Sequence, residues 1–193
     1  MVRALGQRYN DDPRVNSVWI ATGLYGETVI EKNLYIGCPP YRFGAGDFGQ
    51  WVLYRVLPEY REAFPDKPLY IVNTGGGCLR RDSSAISAQF PVRIGLKHNS
   101  LSYDRRGEYD TMGCGMMETM NPYTLTTPIA FEHAFGANPW QTYWSTLSGL
   151  AHHADLFDFP YTAGEWDILD VLARLDGLLH GYNQWEFIDR YLG

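Results

Sequence analysis

69-LYIVNTGGG-77 is the stretch on which the fold turns. Its first four residues are apolar, with β-branched and aromatic side chains and no polar alternation, the pattern of a short strand buried on both sides. Pro65 and Pro68 mark its start, and Asn73-Thr74-Gly75-Gly76-Gly77 takes the chain out through a Gly loop.

Upstream, Asp47-Phe48-Gly49-Gln50 has the form of a capping box, and Phe48, Val52, Val56, Tyr60 and Phe64 recur every four residues on one helical face. Pro58 interrupts that face, which predicts either a kink or a second short helix with Pro58 in its first position. Before the cap lies 41-YRFGAGDFGQW-51, a Gly-rich turn. Before that, Val18–Thr22 and Val29–Ile36 flank Tyr25-Gly26-Glu27 as a hairpin, ended by Pro39-Pro40. The unit is strand, Gly loop, helix, strand, Gly loop.

Downstream, the residues predict a short helix over Asp82–Ala88, a strand over Pro91–Leu96 and a second hairpin over Leu101–Met112. From Thr127 the signals turn helical. Pro128 opens a helix that stops at Gly136, Trp140–Leu156 has helical spacing, and Thr162-x-x-Glu165 and Asn183-x-x-Glu186 cap two more. The expectation is an α+β fold: a mixed, mainly antiparallel sheet with a βαβ-like unit over residues 1–120, then an all-helical, acidic C-terminal segment over 121–193 packed on it.

Composition sets limits on function. The 193 residues are 45% apolar and 20% charged, ordinary for a globular chain that buries a core, while 15% aromatic content points to ring-rich packing, stacked substrates or flat subunit contacts. No run approaches the roughly 18 apolar residues of a membrane span, and the first residues lack an apolar signal core, so a cytoplasmic location, in a cell or an infected host cell, is expected. Cys38, Cys78 and Cys114 have neither disulfide-framework nor zinc-ribbon spacing. The net charge of −6 lies in the tail, where residues 151–193 hold two Arg against eight Asp and Glu, and this argues against nucleic-acid binding there.

Four constellations are candidates for chemistry. Gly44-x-Gly46-x-x-Gly49, between a strand and a helix start, would place free N–H groups and the positive end of the helix where an anion can sit; the other reading is a structural turn that Asp47 and Gln50 cap. A dinucleotide loop is disfavoured because the strand at Leu69–Val72 ends in Asn73 and not in an acid. Arg80, Arg81, Arg93, Lys97, Arg105 and Arg106 form a basic cluster that either holds phosphate or is the solvated face of hairpin arms. His152-His153-Ala154-Asp155 contains His-x-Asp, an iron-ligand spacing, but on helices it reads as surface, and no metal is expected. Cys114, amid Met112, Met116 and Met117, reads as a buried inert thiol.

The order hairpin, Gly loop, helix, strand ending in Asn73, short helix, strand and hairpin resembles the core of the GNAT acetyltransferase superfamily over about residues 17–118. Gly44-Ala45-Gly46 matches the glycines of that family's loop, and Arg42 stands one place from its Gln or Arg. The resemblance implies an acyltransferase-like enzyme that holds acyl-CoA through Arg42, Gly44, Ala45, Gly46 and Phe48. Asn73 and Tyr103 would then orient the acceptor, which the residues do not name, or protonate the leaving thiolate. The alternative is a non-enzymatic assembly protein, such as a virus-particle component, that self-associates through its aromatic surface. Neither reading involves a membrane.

Overall fold

The computed structural model describes residues 1–20, 22, 50–72, 84–85, 87–90, 94–103, 115–133 and 139–159. Five strands form one sheet: β1 (Val18–Ile20), β2 (Leu69–Val72), β3 (Gly95–Leu101), β4 (Ile129–His133) and β5 (Leu156–Asp158). They lie side by side in chain order, and every neighbouring pair is parallel. Crossovers between parallel strands are almost always right-handed, so a sheet that never reverses its order sends every connection over the same face. The result is an open half-barrel with one face covered by helices.

Side-chain alternation assigns the faces. Ile20, Ile71, Leu96 and Ile129 lie in one register row across four strands, and all four are buried. They share a core with Leu69 and Phe131 and with Val52, Leu53, Val56, Leu57, Met117 and Met120 from the crossovers. The helical elements include α1 (Val2–Tyr9), a π-helical turn over Val52–Val56 that runs into α2 (Leu57–Ala63), α3 (Met116–Met120) and α4 (Pro139–Ala151). Pro58 falls in the first turn of α2, at the junction with the π-helical turn, where Leu57 N–H bonds to the Val52 carbonyl. The change of pitch just before it spares the carbonyl four residues back from the proline ring.

The opposite face carries Trp19, Tyr70, Val72, Gly95, Lys97, Ala130, Glu132 and Asp158, as the pairs Trp19↔Tyr70, Tyr70↔Gly95, Val72↔Lys97, Lys97↔Ala130 and Glu132↔Asp158 show. Small residues alternate here with large ones. A Cβ on Gly95 would stand 2.3 Å from the Tyr70 ring, so glycine is what lets that ring lie across the sheet. A further tight approach is on the helical side, where a Cβ on Gly149 of α4 would stand 2.5 Å from the Phe157 ring and 3.1 Å from Leu101. Gly149→Val is therefore expected to lower stability by about 1–3 kcal/mol, the usual cost of overpacking, because valine's gain in helix propensity over glycine is smaller. A urea unfolding midpoint checks it.

Two expectations are corrected. The sheet is all parallel, not mainly antiparallel: β1 pairs with β2, and the described sheet contains no antiparallel pair. Residues 29–36 and 108–112, the far arms of the two expected hairpins, lie outside the described residues, but Leu101 ends a parallel strand. The C-terminal part is also not all helical, because β4 and β5 continue the sheet across the seam at residues 121–127. Pro128 precedes a strand where a helix was expected, and β5 follows α4 after His153, whose φ of 61° ends the helix. The buried strand at 69–72 and the helical residues at 84–85 and 87–89 stand as expected, whereas the caps at 162–165 and 183–186 lie outside the described residues. No described helix is long and apolar enough to cross a membrane.

A carboxylate pair at the carboxyl end of the sheet as candidate functional site

In a singly wound parallel sheet, the strands' carboxyl ends and the loops that follow them converge, and ligands bind there. Two local devices set which side chains reach that end. The first is a bulge in β3: His98 pairs with Phe131 and Leu101 with His133, so three steps on β3 match two on β4. The extra residue returns Leu101 to the helical core, while Asn99 stays two residues on from Lys97. The second fixes β5. Asp155 accepts the Ile129 N–H through Oδ2 at 2.8 Å and donates its own N–H to the Ile129 carbonyl at 2.8 Å. That clasp sets the register in which Glu132 and Asp158 stand opposite each other.

Lys97 lies at the centre of this face with its side chain 1% exposed. An ammonium has three donors, and here three acceptors surround it. Nζ is ion-paired with Glu132 Oε2, donates to Asn99 Oδ1 at 2.7 Å and sits 3.7 Å from the centre of the Trp19 ring. A buried charge persists only when paired and hydrogen-bonded, and this one is. Among the described residues, Glu132 Oε1 has no partner.

Asp158 is the other carboxylate. Burial pushes its carboxyl above the usual aspartate range, the nearby Glu132 charge pushes it further, and Lys97 opposes both. Two neighbouring acids thus have different surroundings: Glu132 is tied to a cation, and Asp158 keeps its proton to a higher pH than an ordinary aspartate does.

His133, next to Glu132 but on the helical side, holds Asp158 in place. Its Nδ1 lies 3.3 Å from the Asp158 carbonyl oxygen and its Nε2 2.9 Å from the Thr146 hydroxyl of α4, and the ring stacks on Phe159 with centroids 4.6 Å apart. Since a carbonyl only accepts, Nδ1 is assigned the proton. Burial lowers the His133 pKa from 6.5 to about 4, against the opposing hydrogen bond to Asp158. A neutral histidine in the fold, protonated more readily when unfolded, contributes stability that is full above pH 6.5 and is lost as pH falls toward about 4. The expected loss over that window is about 3 kcal/mol. Denaturant unfolding as a function of pH should show it, and His133→Gln should flatten that part of the curve.

Of the residues the sequence singled out, Tyr103 lies two positions beyond β3, at the carboxyl end, and is 40% exposed. Asn73 follows β2 in sequence but, like Arg42, Gly44, Ala45, Gly46 and Phe48, lies outside the described residues, as do Cys38, Cys78 and Cys114. Lys97 belongs neither to a phosphate cluster nor to a solvated hairpin face, because it is buried and fully engaged. In the His-x-Asp motif, His153 takes the positive φ that ends α4 and Asp155 secures β4, while His152 beside it contacts Asn121. Glu132, Asp158 and Trp19 were not anticipated. Their signal was present: a single acid inside the apolar run Ile129–His133 and another inside Leu156–Phe159 are anomalies in buried strands. No protein-family model, curated protein or solved structure matches the chain, so the chemistry of this site carries its own interpretation.

Proposed function

We propose that the chain is a hydrolase of the two-carboxylate type that cleaves a glycosidic bond at the carboxyl end of the sheet. The observation that carries this reading is the Glu132↔Asp158 pair, with Asp158 raised by burial and Glu132 held by Lys97. Glycoside hydrolysis needs one protonated carboxyl and one negative carboxylate beside the scissile bond. Asp158 donates its proton to the leaving oxygen as the C–O bond breaks. Glu132, anchored through Oε2, presents Oε1 to the positive charge that develops on the anomeric carbon and takes the proton of the incoming water. Proton count and charge are restored when Glu132 and Asp158 exchange a proton with solvent.

The charge of the face supports a neutral substrate. Lys97 is the one Lys or Arg in the described strands, and its ammonium is already engaged by Glu132, Asn99 and the Trp19 ring. The acyl-CoA reading rests on Gly44–Gly49, outside the described residues, and the assembly reading on aromatic content, so the three separate experimentally. Purified chain is assayed against nitrophenyl glycosides and neutral oligosaccharides, titrated with acetyl-CoA and run on a sizing column. Release of reducing ends is the expected result. No hydrolysis across the panel, with acetyl-CoA bound or a concentration-dependent multimer formed, overturns it in favour of transfer or assembly.

A further inference from the structure

We infer that Thr146 is a positioning residue for the acid Asp158, its hydroxyl holding His133 in the tautomer that grips the Asp158 main chain, a role that rests on the hydrolase reading above. A line of polar groups runs from β5 to α4: the Asp158 carbonyl lies 3.3 Å from His133 Nδ1, Nε2 lies 2.9 Å from Thr146 Oγ1, and Oγ1 lies 2.7 Å from the Thr142 carbonyl oxygen. Both ends are carbonyls, which only accept, while a neutral imidazole and a hydroxyl bring one proton each. Two protons cannot fill three contacts.

The hydroxyl therefore chooses. If it donates to Nε2, then Nδ1–H donates to Asp158 and the Thr142 end goes without. If it donates to Thr142, then Nε2–H donates to the hydroxyl, and a ring lone pair is left facing the Asp158 carbonyl. Ser145 decides between the two, because its own hydroxyl donates to the same Thr142 carbonyl at 3.0 Å and keeps that end served when Thr146 turns away. Thr142, Ser145, Thr146 and His133 are all buried, so a bond left unmade here is costly, and the first arrangement strands the fewest groups. Phe159, stacked on the ring at 4.6 Å, limits its tilt. Thr146 thus ties α4 through His133 to the strand end on which Asp158 stands opposite Glu132. An acid must meet the leaving oxygen in line, and a loosened strand end would take its proton out of line.

The test uses the full chain. Imidazole nitrogen NMR shifts of the wild type, assigned to His133 by comparison with His133→Gln, should show Nδ1 protonated and Nε2 accepting, and a protonated Nε2 instead overturns the inference. Thr146→Val, nearly isosteric but without a hydroxyl, should lose the single tautomer and slow turnover of an alkyl glycoside about five- to tenfold, the worth of one hydrogen bond, with KM and cleavage of a dinitrophenyl glycoside unchanged. Thr146→Ser should restore both. Circular dichroism confirms that each variant is folded. If Thr146→Val does not fold, Ser145→Ala replaces it: the Thr142 carbonyl then draws the Thr146 hydroxyl back, and an unshifted His133 tautomer overturns the inference. A folded Thr146→Val that keeps the Nδ1–H tautomer, or shifts tautomer without slowing the alkyl glycoside, overturns it as well. If the wild type cleaves no glycoside, the hydrolase reading falls and the Asp158 carboxyl, followed by carbon NMR, judges Thr146 alone. It should titrate closer to an ordinary aspartate in Thr146→Val, where a loosened strand end meets more water, and an unmoved titration overturns the role.

Discussion

Lys97→Met should lower stability at neutral pH by about 4 kcal/mol, the usual cost of leaving one member of a buried ion pair behind. The exposed fractions of the two side chains, 1% for Lys97 and 23% for Glu132, place the pair well away from the surface regime in which ion pairs contribute little. Methionine recovers some apolar burial, about 1–2 kcal/mol, but the Glu132 carboxylate stays beside Asp158 with no counter-charge, and that term is larger. The pH dependence follows. Without Lys97, Asp158 loses the one influence that lowers it and its carboxyl is held further above its unfolded value, so stability falls as pH rises through that window and returns as pH is lowered. Glu132→Leu should be costly as well, since it strands the ammonium beside only Asn99 and Trp19. The double variant Lys97→Met with Glu132→Leu should recover much of the loss, because neither charge remains buried. Urea unfolding of the four proteins gives the coupling, and a Lys97→Met cost below about 1 kcal/mol would mean that the pair behaves as an exposed one.

How far the sequence could be read depends on what each element's pattern shares with its competitors. Leu69–Val72 was legible because four apolar residues, three of them β-branched or aromatic, between turn signals suit a buried strand and little else. The helix after Gln50 and the role of Pro58 were legible for the same local reason. Ile129–His133 was not, since a buried strand behind a proline looks like the first turn of a helix, and only its five-residue length argues otherwise. β5 was hidden because Leu156 continues the apolar spacing of α4, and nothing in His153 announces positive φ. Strand direction is a non-local property: the runs 18–20 and 69–72 fit a hairpin arm or a parallel neighbour equally well until crossovers are assigned.

The site was illegible for a related reason. Motif reading looks for glycines and clustered charges along the chain, whereas Trp19, Lys97, Asn99, Glu132 and Asp158 come from four strands spread over 140 positions and meet only through register. What the chain does display is each as a local misfit, a charged or exposed residue in a strand otherwise suited to burial. Such misfits stay stable only if they satisfy one another, and the Lys97 contacts show that they do. The two faces thus divide the work: the apolar face with its helices supplies the stability that lets the other face keep two acids and a cation together.

Asp158→Asn should reduce turnover of a glycoside with a sugar or alkyl leaving group by about 10²–10⁴-fold, the range lost with a general acid. Asparagine keeps the shape and β5 register but has no proton to give. The sensitivity to leaving group separates this role from a structural one. A dinitrophenolate departs without protonation, so Asp158→Asn should cleave a dinitrophenyl glycoside at close to the wild-type rate, while Glu132→Gln should slow both substrates. The pH profile gives a second readout. Because the acid must be protonated, wild-type activity falls as pH rises through the raised value of Asp158, later than for an ordinary aspartate. That limb should vanish in Asp158→Asn. In Lys97→Met it should move to higher pH, since Lys97 is the one influence that lowers Asp158. Equal losses for both leaving groups, with the alkaline limb unmoved, would remove Asp158 from the role of acid and leave it a strand-end residue held by His133.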